Sequence, residues 1–288
     1  MRPVSPLSAD VAGPPVLWFA QDEVLARPVA ARLLSGGSAG GDDRGPTGQQ
    51  ALLTAAAAAG AVSHPVLAQV YDAAREPAGE SGSPTAYAIS EWVTGPTLAA
   101  VLLADGPWEA ERACTLVTEV ADALAAAHAT GLAHGRVHLG NLLLPPGGGV
   151  RLTDLALSAA LPGRRIPAQR SDDPDLLAAD VRDLAAVLYA LLTARWPASA
   201  TPQPSGGIPA APAGRDGPHR GRLISPGQVR AGVPRSLDVV IARALDPDRA
   251  PLAPDLTSTA GLCDALHRGG TSATRERRLR GVLRRRRA

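Results

Sequence analysis

The chain has 288 residues, of which 45% are hydrophobic and 19% charged, with a net charge of +2, so global disorder is excluded and a core is predicted. Its two cysteines, Cys114 and Cys263, exclude a disulfide framework or a Cys-based zinc site, and Cys114 is predicted to be a small core residue. No run of about 18 strongly apolar residues occurs and the start lacks an apolar signal segment, which predicts a cytoplasmic protein without a membrane span.

The N-terminal part of the chain has the pattern of a small β-rich region. Residues 16–20 (VLWFA) and 27–34 (RPVAARLL) are apolar runs separated by a polar turn, which predicts a β-hairpin. Residues 1–13 are predicted to be flexible, so that the first strand of the region is missing or very short. The Gly-rich stretch 35–48 predicts a flexible link.

A helix and a second strand pair are predicted next. Residues 51–62 are rich in alanine, which favours a helix. Residues 66–74 and 86–93 have strand character around a Gly/Ser/Pro turn. After Gly95 the pattern changes, so we predict an N-terminal lobe over 14–95.

Residues 96–270 are predicted to form a mostly helical lobe. Residues 108–129 carry apolar side chains three or four positions apart, which marks one buried helical face. The residues on that face are Ala113, Val117, Val120, Leu124 and Ala127. Further elements are predicted as helices at 175–194, 235–245 and 258–267, short strands at 141–144 and 150–157, and a mobile Pro/Gly loop at 198–221.

The chain ends in a strongly basic segment. Residues 275–288 hold 8 Arg and 1 Glu, a charge of +7, so the remaining 21 Arg and 26 acidic residues give −5. Residues 271–288 are predicted to be a disordered tail. The alternative is a membrane-peripheral protein whose Arg275–Arg287 contacts anionic lipid, at about 1 kcal/mol per Arg near the surface. No aromatic residue accompanies these arginines, which argues against specific nucleic-acid binding.

Six stretches of the sequence resemble the protein-kinase motifs in their correct order. They are RPVAAR (27–32), SHPVLAQVYD (63–72), ISEWVTGPTL (89–98), HGRVHLGN (134–141), LTDLAL (152–157) and DVRDLAAVLYALLTARWP (180–197). They match the V-A-I-K strand, the entry to the fourth strand, the hinge, the H-R-D-L-x-x-x-N loop, the D-F-G region and the anchoring helix of the large lobe. The chain is similar to actinobacterial serine/threonine kinase-like proteins over roughly 14–267. The resemblance implies an α+β, bilobal fold with a small β-rich N-lobe, truncated at its start, and a mostly helical C-lobe.

Three parts of the kinase machinery differ in the N-lobe. The stretch matching the Gly-rich phosphate loop offers Gly13 alone, followed by two prolines that have no N–H to donate. The position of the strand lysine holds Arg32, because the chain contains no lysine; it either contacts a phosphate or faces solvent at the rim, and the solvent-facing role is favoured. The position of its glutamate partner holds Ala55.

The catalytic loop is also altered. Arg136 stands at the position of the catalytic aspartate, where a guanidinium cannot accept a proton and would repel Mg²⁺. His138 occupies the position of a lysine that contacts the γ-phosphate, and a surface histidine is favoured there. Asn141 and Asp154 match the Mg²⁺ ligands of kinases. The favoured alternative is that Asn141 braces its own loop and Asp154 caps the turn after its strand.

Other residues match the nucleotide pocket and the scaffold of kinases. Ala156 replaces the glycine of D-F-G, which stiffens that segment. The residues matching the nucleotide pocket are Ala30, Arg32, Glu91, Val93 and Leu143. The residues matching packing and anchoring positions are His134, Leu155 and Asp180.

These substitutions predict a pseudokinase with no catalytic residues, acting as a signalling scaffold or protein-binding module. The resemblance suggests a protein partner, for example a true kinase or a phospho-threonine reader, since Thr271 and Thr274 precede the arginine run. No cofactor is required in this interpretation, and ATP with Mg²⁺ would bind weakly. The alternatives are an ATP-binding switch without turnover and a weak, non-standard serine/threonine kinase.

Overall fold

A computed structural model gives the fold of the chain in two units. It describes residues 2–8, 16–35, 46–77, 85–157, 174–198, 201, 206–214, 222–245, 256 and 258–268. Unit 1 comprises Met1–Thr94, Ala126–Gly135 and Arg151–Asp172, and unit 2 comprises Gly95–Ala125, Arg136–Val150 and Asp173–Ala288. Unit 1 therefore includes two segments, Ala126–Gly135 and Arg151–Asp172, that were predicted to belong to the mostly helical lobe.

Within the described residues, unit 1 contains an antiparallel sheet of five strands in the order β1-β2-β3-β5-β4. The strands are β1 (Arg2–Ser8), β2 (Val16–Asp22), β3 (Arg27–Ser35), β4 (Val70–Glu76) and β5 (Thr85–Glu91). The predicted hairpin and the predicted second strand pair are confirmed as β2–β3 and β4–β5. One face of the sheet forms an apolar cluster of Ala20, Val29, Ala31 and Ile89, with Trp18, Leu33 and Tyr87 packed against it.

Strand β1 is a correction to the sequence analysis. Residues 1–13 were expected to be flexible and the first strand to be missing, but Arg2–Ser8 pairs with β2. Pro3 and Pro6 interrupt the usual strand pattern, and a strand at the sheet edge tolerates them because one side of it needs no ladder donors. The stretch around Gly13 lies outside the described residues.

Helix α1 (Pro46–Gly60) packs on the sheet and begins earlier than predicted. Its inward side is built from small and aliphatic residues, Leu52, Ala56 and Ala59, which are at most 2% exposed. The buried Gln49 donates through Nε2 to the carbonyl of Leu34 in β3, 3.3 Å away. This bond satisfies a polar group that would otherwise be costly to bury.

The rest of the chain is mainly helical. The elements are α2 (Leu98–Asp105), α3 (Ala110–His128), β6 (Leu142–Leu143), β7 (Arg151–Leu152), α4 (Pro174–Thr193), α5 (Pro226–Val229), α6 (Arg235–Leu245) and α7 (259–268). Helices α3, α4, α6 and α7 confirm predictions, whereas α2 and α5 were not predicted and the two strands are shorter than expected. In the portion of the chain that is described, no helix combines the length and apolar character needed to cross a bilayer.

Unit 2 is organised around α4. Four apolar residues spaced one, three or four positions apart on α4 are fully buried, and α6 packs against this helix; they are Leu184, Val187, Leu188 and Leu191. Tyr189 of α4 is also fully buried, and its hydroxyl donates to the carbonyl of Ile224 at 2.9 Å. Burial raises the pKa of Tyr189 to about 12, so this hydroxyl remains a donor.

Part of the predicted mobile loop 198–221 makes fixed backbone contacts. Trp196 donates its N–H to the carbonyl of Pro209 at 2.8 Å and accepts from the N–H of Ala211 at 2.7 Å. The indole of Trp196 is buried, and its Nε1 donates to the carbonyl of Thr201 at 3.0 Å. The described segment 206–214 is therefore tied to the end of α4.

Both cysteines are buried, which confirms the core role predicted for Cys114. Cys263, on α7, donates its Sγ–H to Asp122 Oδ1 on α3 at 3.2 Å. Burial, together with this carboxylate, raises the pKa of Cys263 to about 12. The thiol therefore acts as a hydrogen-bond donor that joins the two helices.

The residue that ends α4 leads to a stability prediction. Ala194 adopts φ = 52°, a left-handed conformation in which helices usually place glycine. Ala194→Gly is expected to raise the free energy of unfolding by about 1 kcal/mol, because it removes the clash of Cβ with the backbone. The matched control is Ala57→Gly at an exposed position inside α1, which should lower it by about 1 kcal/mol. Urea titrations in which both variants shift in the same direction would contradict this prediction.

Candidate functional site

Strand β3 places Ala30 and Arg32 on one face of the sheet, because successive side chains alternate. Each residue is only 8% exposed, and Ala30 lies opposite Ser90 of β5 in the strand register. Arg32 is therefore not the solvent-facing rim residue that the sequence analysis favoured, and that prediction was wrong.

Arg32 forms an ion pair with Asp154, the residue that matches a Mg²⁺ ligand of kinases. Arg32 Nη2 lies 2.7 Å from Asp154 Oδ1, and the two side chains are 9% and 15% exposed. The pair is more buried than the Arg27–Asp22 pair of the same unit, whose side chains are 36% and 25% exposed. A charge-assisted hydrogen bond at this depth strongly fixes both side chains.

The backbone around Asp154 has an unusual conformation. Asp154 and Ala156 adopt φ of 69° and 59°, which costs a residue with a Cβ about 1–2 kcal/mol. The segment is held from both sides: Leu152 exchanges backbone bonds with Val66 and Ala68 at 2.7 and 2.8 Å, and Leu157 donates to the carbonyl of Asp154 at 3.0 Å. The stiffening expected at Ala156 therefore coincides with a constrained backbone.

His134 supports the same segment. It is fully buried, and its Nε2 lies 2.9 Å from the carbonyl oxygen of Thr153. Because a carbonyl only accepts, Nε2 carries the proton in this bond. Leu155 is buried as well, at 2% exposure. Both residues occupy the packing positions that the resemblance implies.

The loop 134–141 is closed by Asn141. This residue is 2% exposed; its Nδ2 donates to the carbonyl of Arg136 at 2.7 Å, and its Oδ1 accepts from the N–H of His138 at 2.9 Å. Asn141 therefore braces its own loop, as the favoured alternative predicted. Both atoms of its amide group are used in holding the turn that carries Arg136.

His138 is more enclosed than predicted. A surface histidine was expected, but the residue is half-buried and its Nδ1 accepts from the N–H of Gly140 at 3.0 Å. The imidazole is thus part of the hydrogen bonding that shapes the loop. Arg136 itself is half-buried.

Helix α4 anchors the loop through a residue that the sequence analysis missed. Asp183 Oδ2 accepts from the N–H of Val137 at 2.9 Å, and Asp183 is 4% exposed. Asp180, the residue predicted to anchor the loop, lies one turn earlier and is fully buried. Asp183 could have been predicted from the sequence, because it is a second acidic residue three positions after Asp180 on the same face of an apolar helix.

The predicted nucleotide-pocket residue Glu91 is engaged within unit 1. Its N–H donates to the carbonyl of Gln69 at 2.8 Å, and its Oε2 accepts from the N–H of Gln69 at 3.2 Å. The same oxygen pairs with Arg151, whose Nη2 also donates to the carbonyl of Leu67 at 3.2 Å. The contacts of Arg151 and Gln69 with Glu91 could not be predicted from the sequence, because these residues are distant along the chain.

The remaining predicted pocket residues, Val93 and Leu143, have apolar side chains. Val93 is buried at 7% exposure, and Leu143, in β6, is half-buried.

The side chains at the two kinase-like metal positions do not fit the Mg²⁺ that the resemblance implies. The carboxylate of Asp154 is neutralised by Arg32, and the amide of Asn141 closes its own loop. Across the described parts of the chain, no group of three or more His, Cys, Asp or Glu side chains is arranged to hold a metal ion. The two kinase-like metal positions thus have their own internal partners.

Solved structures show what class of fold this arrangement belongs to. The kinase domain of PknI from Mycobacterium tuberculosis is 20% identical, with a TM-score of 0.64 over 93% of this chain and 94% of that chain. Rad53 residues 1–466 in complex with AMP-PNP is 14% identical, with a TM-score of 0.59 over 91% of this chain and 64% of that chain. The chain therefore has the α+β protein-kinase fold.

Curated sequences that are similar to the chain are also named as protein kinases. The serine/threonine-protein kinase PknB of Mycobacterium leprae is 28% identical over 243 residues, covering 79% of this chain and 37% of the relative. PknA of Mycobacterium tuberculosis is 32% identical over 145 residues, covering 50% of this chain and 32% of the relative. The chain spans about a third of the length of these relatives. No protein-family model matches the sequence. The chain is therefore similar in sequence to mycobacterial serine/threonine kinases and has the protein-kinase fold.

Proposed function

We propose that this kinase-fold chain is a pseudokinase that acts by binding a protein partner and not by transferring phosphate. The observation that carries the proposal is the loop 134–141, which keeps its shape-holding bonds at Val137 and Asn141 but presents Arg136 at the position of the base. Because the chain shares its fold with solved kinase domains, the proposal rests on these side chains and not on the fold.

These residues do not provide the groups that phosphoryl transfer requires. A guanidinium at position 136 stays protonated at physiological pH and cannot accept the proton of a substrate hydroxyl. Arg32 and Ala55 replace the lysine and glutamate that position the phosphates, and the chain contains no lysine that could substitute. Because such groups act together, restoring one of them recovers little of the rate.

A scaffold role implies a partner, and we propose a protein, such as an active kinase or a phospho-threonine reader. A phosphate on Thr271 or Thr274 would add a charge of about −1.5 to −2 and three acceptor oxygens for such a reader. Arg275–Arg287 would add contact with anionic lipid, whereas we propose no specific nucleic acid as a partner. These residues lie outside the described part of the chain.

The proposal predicts that neither the wild type nor Arg136→Asp transfers phosphate from ATP to a protein hydroxyl. Restoring the carboxylate should be insufficient, because Arg32 and Ala55 remain. Both proteins would be incubated with radiolabelled ATP and Mg²⁺ beside an active serine/threonine kinase as the positive control. Incorporation by the wild type above the level without protein would overturn the proposed lack of catalysis.

Thermal unfolding with Mg²⁺–ATP separates a scaffold from a nucleotide-binding switch. A ligand at about 100 times its dissociation constant stabilises the native state by roughly 2.7 kcal/mol. We expect no change in Tm at millimolar Mg²⁺–ATP. A rise in Tm without phosphate transfer would instead favour the ATP-binding switch without turnover.

A further inference from the structure

The Arg32–Asp154 pair explains why the metal position of the kinase fold is not available here. A buried carboxylate is tolerated only when a cation or several hydrogen bonds compensate its charge. In unit 1 this compensation comes from the guanidinium of Arg32, 2.7 Å from Asp154 Oδ1, at side-chain exposures of 9% and 15%. The positive charge thus lies beside the oxygen that a divalent cation would bind.

The position of the carboxylate is set by the backbone as well as by Arg32. Asp154 has φ = 69°, and it directly follows two anchored residues: Leu152, bonded to Val66 and Ala68, and Thr153, bonded to His134. A residue in this conformation persists only where its surroundings determine it. The carboxylate is therefore expected to remain in place if the arginine is exchanged.

The helix next to β3 favours the same pairing. Helix α1 contains no acidic residue, and Ala55 stands at the position from which a kinase glutamate would hold the strand cation. Arginine also suits a carboxylate better than lysine does, because its planar fork offers several aligned donors. Because α1 offers no glutamate at position 55 and β3 carries a guanidinium at position 32, Arg32 pairs with Asp154.

We infer that Arg32 is a fixed internal cation that takes the place of a divalent metal ion beside Asp154, and that a neutral side chain at position 32 turns this position into a cation-binding site. The inference deepens the proposed function and rests on it, since an internal cation at this position accounts for a kinase fold that does not need Mg²⁺–ATP. Hard divalent cations such as Mg²⁺ and Ca²⁺ are the chemical class that a carboxylate and neighbouring carbonyl oxygens bind.

Thermal unfolding of Arg32→Met in MgCl2 or CaCl2 alone, without nucleotide, tests the inference. The variant is expected to unfold about 5 to 10 °C below the wild type, because it removes the ion-pair partner of a largely buried carboxylate. Either salt, at about ten times the dissociation constant of its cation, should then raise the Tm of the variant by about 2 to 4 °C. The wild type and Arg32→Met/Asp154→Asn should show no such rise at matched ionic strength. Arg27→Met, at the more exposed pair with Asp22, is the control for a general salt effect.

A response of the double variant equal to that of Arg32→Met, or no response of Arg32→Met, would overturn the inference. If Arg32→Met does not fold, Arg32→Gln replaces it, since glutamine is neutral but keeps a donor for Asp154. The proposed function fails separately, through phosphate transfer by the wild type. An inactive wild type combined with an unresponsive Arg32 variant would therefore reject the internal cation alone.

Discussion

The double variant Arg32→Met/Asp154→Asn is expected to be more stable than either single variant. Each single substitution removes the ion-pair partner of one largely buried charge, and breaking such a pair costs about 3 kcal/mol. Removing both charges leaves a neutral pair, and asparagine tolerates the left-handed conformation of Asp154. Urea titrations of the four proteins should therefore give a coupling free energy of about 2 kcal/mol or more.

The Arg27–Asp22 pair provides the matched control for this cycle. Its Nε–Oδ2 distance is 3.6 Å and its side chains are more exposed, so its coupling free energy should be about 0.2 to 1 kcal/mol. Asn at position 22 still accepts from the N–H groups of Val24 and Leu25, which keeps the turn intact. Equal coupling at the two pairs would show that the burial of Arg32 and Asp154 has no energetic consequence.

Long, strongly periodic segments were predicted best. The bounds of α6, Arg235–Leu245, agree with the prediction, and the apolar face predicted for α3 is fully buried. A helix with one apolar face has a 3.6-residue pattern that survives without knowledge of its neighbours. The hairpin of β2 and β3 was equally visible, because two apolar runs were separated by polar turn residues.

The helix and the strand that were not predicted have local sequence patterns that argue against them, and tertiary contacts override these patterns. Helix α2 is apolar on most of its surface and only eight residues long, so no amphipathic period marks it. Its start depends on Thr97, whose Oγ1 accepts from the N–H of Ala100 at 3.2 Å, a single capping bond. Strand β1 carries Pro3 and Pro6, which argue locally against a strand and are accommodated because β1 lies at the sheet edge.

The candidate site was predicted in its parts but not in its pairing. The order of motifs located Arg32, Arg136, Asn141 and Asp154 along the chain. Whether Arg32 faces solvent or Asp154 depends on the path of the segment 151–157, whose backbone is fixed by contacts with residues far away in sequence. The identity of the residues was therefore predictable, whereas the neutralisation of one by the other was not.

The second large effect is expected for Asp183→Ala in α4. The substitution leaves the N–H of Val137 buried without its acceptor, which costs about 2–3 kcal/mol because the lost hydrogen bond is charge-assisted. Asp183→Asn keeps an acceptor oxygen and should lose about half as much. Glu119→Ala, at an exposed position on α3, is the control and should stay within about 0.5 kcal/mol of the wild type.

Hydrogen exchange distinguishes loss of this anchor from general destabilisation. In Asp183→Ala the amide of Val137 should lose more protection than the amides of the α6 interior, because it lies at the point where the loop meets α4. The loop retains this anchor although Arg136 replaces the base, so its shape contributes to the stability of unit 2 independently of catalysis. Uniform loss of protection across Val137 and α6 would show that Asp183 stabilises the whole unit and does not specifically position the loop.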